Sequence, residues 1–211
     1  MKPESALFFA SACSFGAFAL LGMWVSRHPA GGIDGIGLHL RGSAIRLARA
    51  FTVSGRSIGV TCACSIAVVA FLVLHRALWI PFAMILSQIV SQSIVETAKL
   101  LYGRTRPDYW LVGLDAGHSY PSGHSATAVV FFGGWALVTI FSGMGEPLRE
   151  TIVAVLVLWG IGIAWSRLAL GAHYPSDVAG GLLFGCGWLC GIGGLLLHFA
   201  AFLVREQRVI W

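Results

Sequence analysis

Three short polar clusters interrupt an otherwise apolar chain, and their residue types suit phosphate chemistry. The first holds Lys99, Arg106 and Pro107, the second Pro121, Ser122, Gly123 and His124, and the third Ser166 and Arg167 followed by His173 and Asp177. Phosphoryl transfer spreads negative charge over the nonbridging oxygens, so its catalysis rests on positioning and on preorganised cations and donors. Lys99, Arg106 and Arg167 supply the cations, the arginines as bidentate forks and the lysine as a point charge. Ser122 and Gly123 open an apolar run, where the free amides of a helix N-terminus receive an anion. Asp177 follows His173 by four residues, and Pro175 suits the first turn of a helix. A carboxylate one turn away holds one imidazole nitrogen and leaves the other free to attack. An attacking His173 forms a phosphohistidine that water then hydrolyses, and His124 is the candidate general acid for the leaving alkoxide.

The same residues admit a second chemistry. His124, His173 and Asp177 are a conceivable iron or zinc set, but Lys99, Arg106 and Arg167 beside them would repel a cation. The expectation is therefore an oxyanion site with no metal and no cofactor. Glu96, one turn before Lys99, is a candidate salt partner. His28, His39, His75 and His198 are read as structural, and His118 stays open because of its place near the second cluster. The five cysteines form neither a metal pattern nor a disulfide framework.

Positioning these clusters falls to a membrane-like scaffold. Hydrophobic residues make up 57% of the 211-residue chain and charged residues 11%, with a mean hydropathy of +0.81. Soluble domains carry about a quarter charged residues, which excludes an ordinary water-soluble globule. The net charge of +5 comes from arginines scattered around apolar runs. That pattern fits anionic headgroups and membrane lipids rather than nucleic acid. Residues 5–26, 57–75, 77–95, 116–145, 151–166 and 178–204 lack Asp, Glu, Lys and Arg. A spanning helix needs roughly 17–25 apolar residues. The expected fold is all-α, a single membrane domain over residues 1–211 with six spans near 5–26, 57–75, 77–98, 123–143, 150–170 and 176–204. The first run is longer than the ~7–15-residue core of a secretory leader and is read as an uncleaved helix.

Parity then places the clusters. In a serial bundle the first, third and fifth connections share one face, and all three polar clusters fall at those connections. Leu40, Ala44, Leu47, Ala48 and Phe51 recur at helical spacing with Arg41, Arg46 and Arg49 on another side, so an interfacial helix is expected over about 38–52. Orientation does not follow from charge. With Lys99, Arg104, Arg106 and Arg167 set aside as chemistry, five cations (Arg27, Arg41, Arg46, Arg49, Arg56) face five (Lys2, Arg76, Arg149, Arg205, Arg208).

The three clusters, in this order and spacing, resemble the type 2 phosphatidic acid phosphatase (PAP2) superfamily, whose pattern K-x6-RP, PSGH, SR-x5-H-x3-D is matched from Lys99 to Asp177. The resemblance implies a PAP2/chloroperoxidase-like helical core and a metal-independent phosphatase. It implies phosphate binding by Lys99, Arg106, Ser122, Gly123 and Arg167, with His124 as acid, His173 as nucleophile and Asp177 as its orienting partner. By the same resemblance the chain is expected in a bacterial inner membrane, with the site on the periplasmic face and both termini in the cytoplasm. The substrate classes it implies are undecaprenyl pyrophosphate, phosphatidylglycerophosphate, phosphatidic acid and lipid A phosphates, and no obligatory protein partner is evident. A lipid-phosphate transporter is a competing class, but it should place polar residues at mid-membrane between repeats. A non-catalytic lipid-binding protein would be expected to lack His124, His173 or Asp177.

Overall fold

We describe the protein from a computed structural model that covers residues 1–111 and 117–209, with side chains up to residue 201. Arg205 and Arg208, counted above among the flanking charges, lie outside the described side chains. Among the described residues the fold is all-α, and each of the six apolar runs contains a helical segment. These are α1 (Pro3–Arg27), α4 (Ser57–Val73), α5 (Trp79–Tyr102), the segment Gly123–Ile140, α8 (Glu146–Ala169) and α9 (Pro175–Val209). Gly123–Ile140 comprises α6 (Gly123–Thr127), a π-turn over Ala128–Gly133, and α7 (Gly134–Ile140).

Four of the six are long and apolar enough to cross a membrane: α1, Gly123–Ile140, α8 and the Pro175–Ala201 part of α9. The count reaches five when α4 is joined to the short helix before it, α3 (Ile45–Ser54), across a 58° bend. The sequence reading expected six. α4 alone has 17 residues, at the lower limit for a span. α5 has the length, at 24 residues, but carries Gln88, Gln92, Glu96 and Lys99 along one side.

The first connection is more structured than an interfacial helix alone. It holds a 3-10 turn over Gly32–Gly35, α2 (Ile36–Leu40) and α3. Ala44 has a left-handed backbone (φ 43°), so the helical pattern begins at Ile45. Ala48 and Thr52 are the buried side of α3. Phe51 meets Trp159 and Trp165 of α8, and a Cβ on Gly162 would lie 2.5 Å from the Phe51 ring.

α1 and α9 form a long seam. Gly187, Gly191 and Gly194 of α9 face Phe15, Ser11 and Phe8 of α1 in that order, and the Ser11 hydroxyl donates to the Gly187 carbonyl at 2.7 Å. Small residues at this spacing let two backbones approach closely, where packing rather than water exclusion holds helices together. At the site end, Phe18, Tyr102, Tyr120 and Phe184 form an aromatic cluster, pinned by the Tyr120 hydroxyl donating to the Phe18 carbonyl at 2.6 Å. Gly181 lets α9 reach α6, since a Cβ there would sit 2.4 Å from the Ser122 carbonyl oxygen. The N-termini of α6 and α9 are thereby side by side.

Candidate active site

Asp177 enters α9 in its first turn and is fully buried. A buried carboxylate is costly unless every lone pair finds a donor, and this one is surrounded. Oδ1 accepts from Arg104 Nη1 at 2.5 Å. Oδ2 accepts from the Tyr174 amide at 2.9 Å and from the Ser119 hydroxyl. His173 Nδ1 lies 3.5 Å from the same Oδ2, so Nδ1 faces the carboxylate and Nε2 faces away. Nε2 is 3.3 Å from Arg106 Nη1. That geometry assigns the proton to Nδ1 and leaves the Nε2 lone pair toward the cavity.

Burial pushes the His173 imidazole down to about 4, against the pull of the Asp177 hydrogen bond and with further repulsion from Arg167 and Arg106. The ring is therefore neutral, as a nucleophile requires. Because the folded value lies below the unfolded one, near 6.5, His173 takes up its proton less readily when folded. Its contribution to stability is complete above pH 6.5 and fades as the pH falls toward 4. Thermal unfolding in detergent should show wild-type protein losing more stability between pH 7.5 and 4.5 than His173→Gln. The difference is expected to be a few kcal/mol.

Arg104 holds the site from behind. Its other Nη donates to Asp34 Oδ2 at 2.6 Å, and its guanidinium lies 4.3 Å over the Tyr174 ring. Burial would lower its pKa, but Asp177 and Asp34 outweigh it and raise the value. Asp34 also accepts from the Ser176 amide at 3.1 Å and the Ser176 hydroxyl at 2.6 Å. The first, third and fifth connections thus meet in one buried network.

In front of His173 lies a cavity of about 760 Å³, lined in part by Lys99, Arg106, Gly123, His124 and His173, with Gly55 and Arg56 from the first connection. Lys99 donates to Glu96 at 2.7 Å, and its ammonium would lie 3.6 Å from a Cβ on Gly123. Arg106 is braced by the Gly117 and Ala172 carbonyls at 3.1 and 3.2 Å. His124 Nε2 is buried without a hydrogen-bond partner among the described residues. This suits a group meant to meet a ligand.

Two sequence candidates, Ser122 and Arg167, are buried and are not among the residues lining this cavity. Ser122 is fully buried, and its hydroxyl accepts from the Ser125 amide at 3.3 Å and the Ser125 hydroxyl at 3.0 Å. It caps α6, whose first intrahelical bond runs from the Ala126 amide to the Ser122 carbonyl, so the preceding Gly123 and His124 amides lie ahead of the ladder. Arg167 is 1% exposed and donates to Thr52 at 2.8 Å, with Ser166 fixing the same Thr52 hydroxyl at 2.9 Å. Arg106 and Arg167 both lie against Trp110, at 5.2 and 6.0 Å from its ring centre. His118 is half-buried and is not among the residues lining the cavity.

Sequence reasoning missed Asp34, Thr52, Gly55 and Ser119, and it grouped Arg104 with the chemical cations without assigning it a partner. A metal does not suit the set. Asp177 has both oxygens engaged, the cavity is rich in cations, and no group of three His, Cys, Asp or Glu among the described residues is arranged to hold an ion.

The family model described as "PAP2 superfamily" matches residues 76–199. Lipid A 1-phosphatase of Rhizobium etli is 32% identical over 120 residues, 52% of this chain and 47% of the relative. Phosphatidylglycerophosphatase B of Escherichia coli K12 is 38% identical over 65 residues, 30% of this chain and 23% of the relative. Decaprenylphosphoryl-5-phosphoribose phosphatase of Mycobacterium tuberculosis is 34% identical over 100 residues, 46% of this chain and 50% of the relative. The chain thus spans about half or less of the length of these curated relatives. Among solved structures, a transmembrane PAP2-type phosphatidylglycerolphosphate phosphatase from Bacillus subtilis superposes with a TM-score of 0.75, covering 91% of this chain and 97% of that one at 19% identity. That likeness is one of fold.

Proposed function

The chain belongs to the PAP2 superfamily, and from that premise we propose that it is a membrane phosphatase that hydrolyses the phosphate monoester or pyrophosphate of a lipid through a phosphohistidine. The observation that carries this is His173, neutral and backed by Asp177, with Nε2 turned toward a cavity that holds Lys99 and Arg106. The Nε2 lone pair forms a bond to phosphorus while the phosphorus–oxygen bond to the lipid breaks. Lys99, Arg106 and the α6 amides take the charge that builds on the nonbridging oxygens. His124 gives a proton to the leaving oxygen, and the imidazolium on His173 is balanced by Asp177. Water then attacks phosphorus and gives a proton back to His124 as the phosphorus–nitrogen bond breaks, releasing phosphate.

The lipid class is supported by what adjoins the cavity. A further hollow of about 430 Å³ shares Val60, Thr61, Gln88 and Ile89 with it and continues between α4 and α5 past Cys64, Val68 and Ile85. An apolar track leading from the phosphate site suits a hydrocarbon chain. The three relatives are all named for phosphate removal from lipids. We take the six apolar helices as spans, α4 and α5 included, in a bacterial inner membrane with the site on the periplasmic face and the termini in the cytoplasm.

The test is phosphate release by detergent-solubilised protein from a panel of lipid phosphates in the presence of EDTA. Turnover unaffected by the chelator is the expected result. A folded protein that binds these lipids without releasing phosphate would sink the catalytic reading and favour transport or lipid binding.

A further inference from the structure

The cavity contains a row of polar groups that runs on from Lys99 past the phosphate site. Gln88, Gln92, Glu96 and Lys99 follow one another at i, i+4, i+8 and i+11 on α5, and all four line the cavity. This spacing keeps them on one side of the helix. At its inner end the row is tied to α6. The Gln88 and Gln92 side-chain amides both donate to the Thr127 hydroxyl, at 2.9 and 2.8 Å, and Gln92 also donates to the Gly123 carbonyl at 3.3 Å. Gln88 is 7% exposed, and its Oε1 has no hydrogen-bond partner among the described residues. A buried amide oxygen beside a cavity is an acceptor awaiting a donor.

Its position relative to the chemistry says what that donor belongs to. Thr127 lies one turn past His124, about 4.5 Å along the helix. His124 protonates the leaving oxygen, so the atoms attached to that oxygen lie next to Thr127, Gln92 and Gln88. Beyond Gln88 begins the apolar track. Phosphate, polar row and apolar track therefore come in that order, and hydrocarbon attached directly to the phosphate would lie against the amides. Resting on the phosphatase reading above, we propose that Gln88, Gln92 and Thr127 form a second subsite that takes a hydroxyl-bearing linker, such as a sugar ring, between the phosphate and the hydrocarbon of the substrate.

The test compares three monophosphates of matched chain length in detergent: a lipid phosphorylated on a sugar ring, a prenyl phosphate, and a diacylglycerol phosphate, whose linker offers acceptors and no donor. The sugar-linked lipid should lead both others in kcat/KM by about tenfold to a hundredfold, the usual penalty for leaving one buried polar group unsatisfied. Gln88→Met, close in volume and without the amide, should bring that ratio to within about threefold of one. Equal turnover of all three lipids by the parent protein would overturn the subsite while leaving the phosphatase reading intact. Absence of release from every lipid would overturn the phosphatase reading instead. Equilibrium binding of the same three lipids then decides the subsite, since a preference for the sugar-linked one does not require turnover.

Discussion

His173→Ala is expected to lower phosphate release by a factor on the order of 10⁴ or more, leaving a folded protein that still binds lipid phosphate. The substitution removes the nucleophile but leaves Lys99, Arg106 and the α6 amides in place, so it acts on turnover more than on affinity. Asp177 keeps its bonds from Arg104, Ser119 and Tyr174, and its carboxylate is not stranded by the loss. The same mechanism predicts a labelled intermediate in the parent. Brief incubation with radiolabelled substrate and an alkaline quench should trap phosphate on the protein in an acid-labile, alkali-stable form that His173→Ala lacks. Label retained by the variant would place the nucleophile elsewhere.

The second large effect concerns stability. Arg104 bridges two buried carboxylates, at 2.5 Å to Asp177 and 2.6 Å to Asp34. Arg104→Leu would leave both without their counterion, and breaking such a buried arrangement costs about 3–5 kcal/mol. Arg104→Lys keeps the charge but loses the fork that reaches two acceptors at once, so it should recover only part of the loss. Thermal or denaturant unfolding in detergent should rank parent above Arg104→Lys above Arg104→Leu. Activity should fall with them, because Asp177 no longer holds the His173 ring in place. Equal stability of parent and Arg104→Leu would mean that the network relaxes or takes up water.

The candidate site was legible where it is built from local spacing. His173 and Asp177 lie one turn apart, and the parity of the connections already placed the three clusters on one face. What escaped was the support, because its partners are remote. Asp34 meets Ser176 across 142 positions, and Thr52 meets Ser166 across 114. Asp34 stands among Gly31, Gly32 and Gly35, where an aspartate reads as a turn residue. Ser122 shows the opposite difficulty. Its type and place suit phosphate binding, but a serine before a helix is equally suited to capping, and its hydroxyl is engaged in that way. The polar row of α5 was visible in principle, since Gln88, Gln92, Glu96 and Lys99 recur at helical spacing. The charge-free run that ends at Val95 drew attention to apolarity instead. The helical class followed from composition, whereas the number of spans depends on α4 and α5, a short helix and a polar one.

The seam between α1 and α9 also bears on the order of assembly. Ser11 and Gly187 are 176 positions apart, so the partner of α1 leaves the ribosome only after every other described helix. Contacts of such separation are slow to form because the intervening chain must first be closed into a loop. Until α9 arrives, α1 has an unfilled flank, and Asp34 lacks Ser176 while Arg104 lacks Asp177. A nascent chain stalled before Pro175 therefore presents an unpaired helix and an Arg104–Asp34 ion pair without the hydroxyl, amide and carboxylate that α9 brings to it.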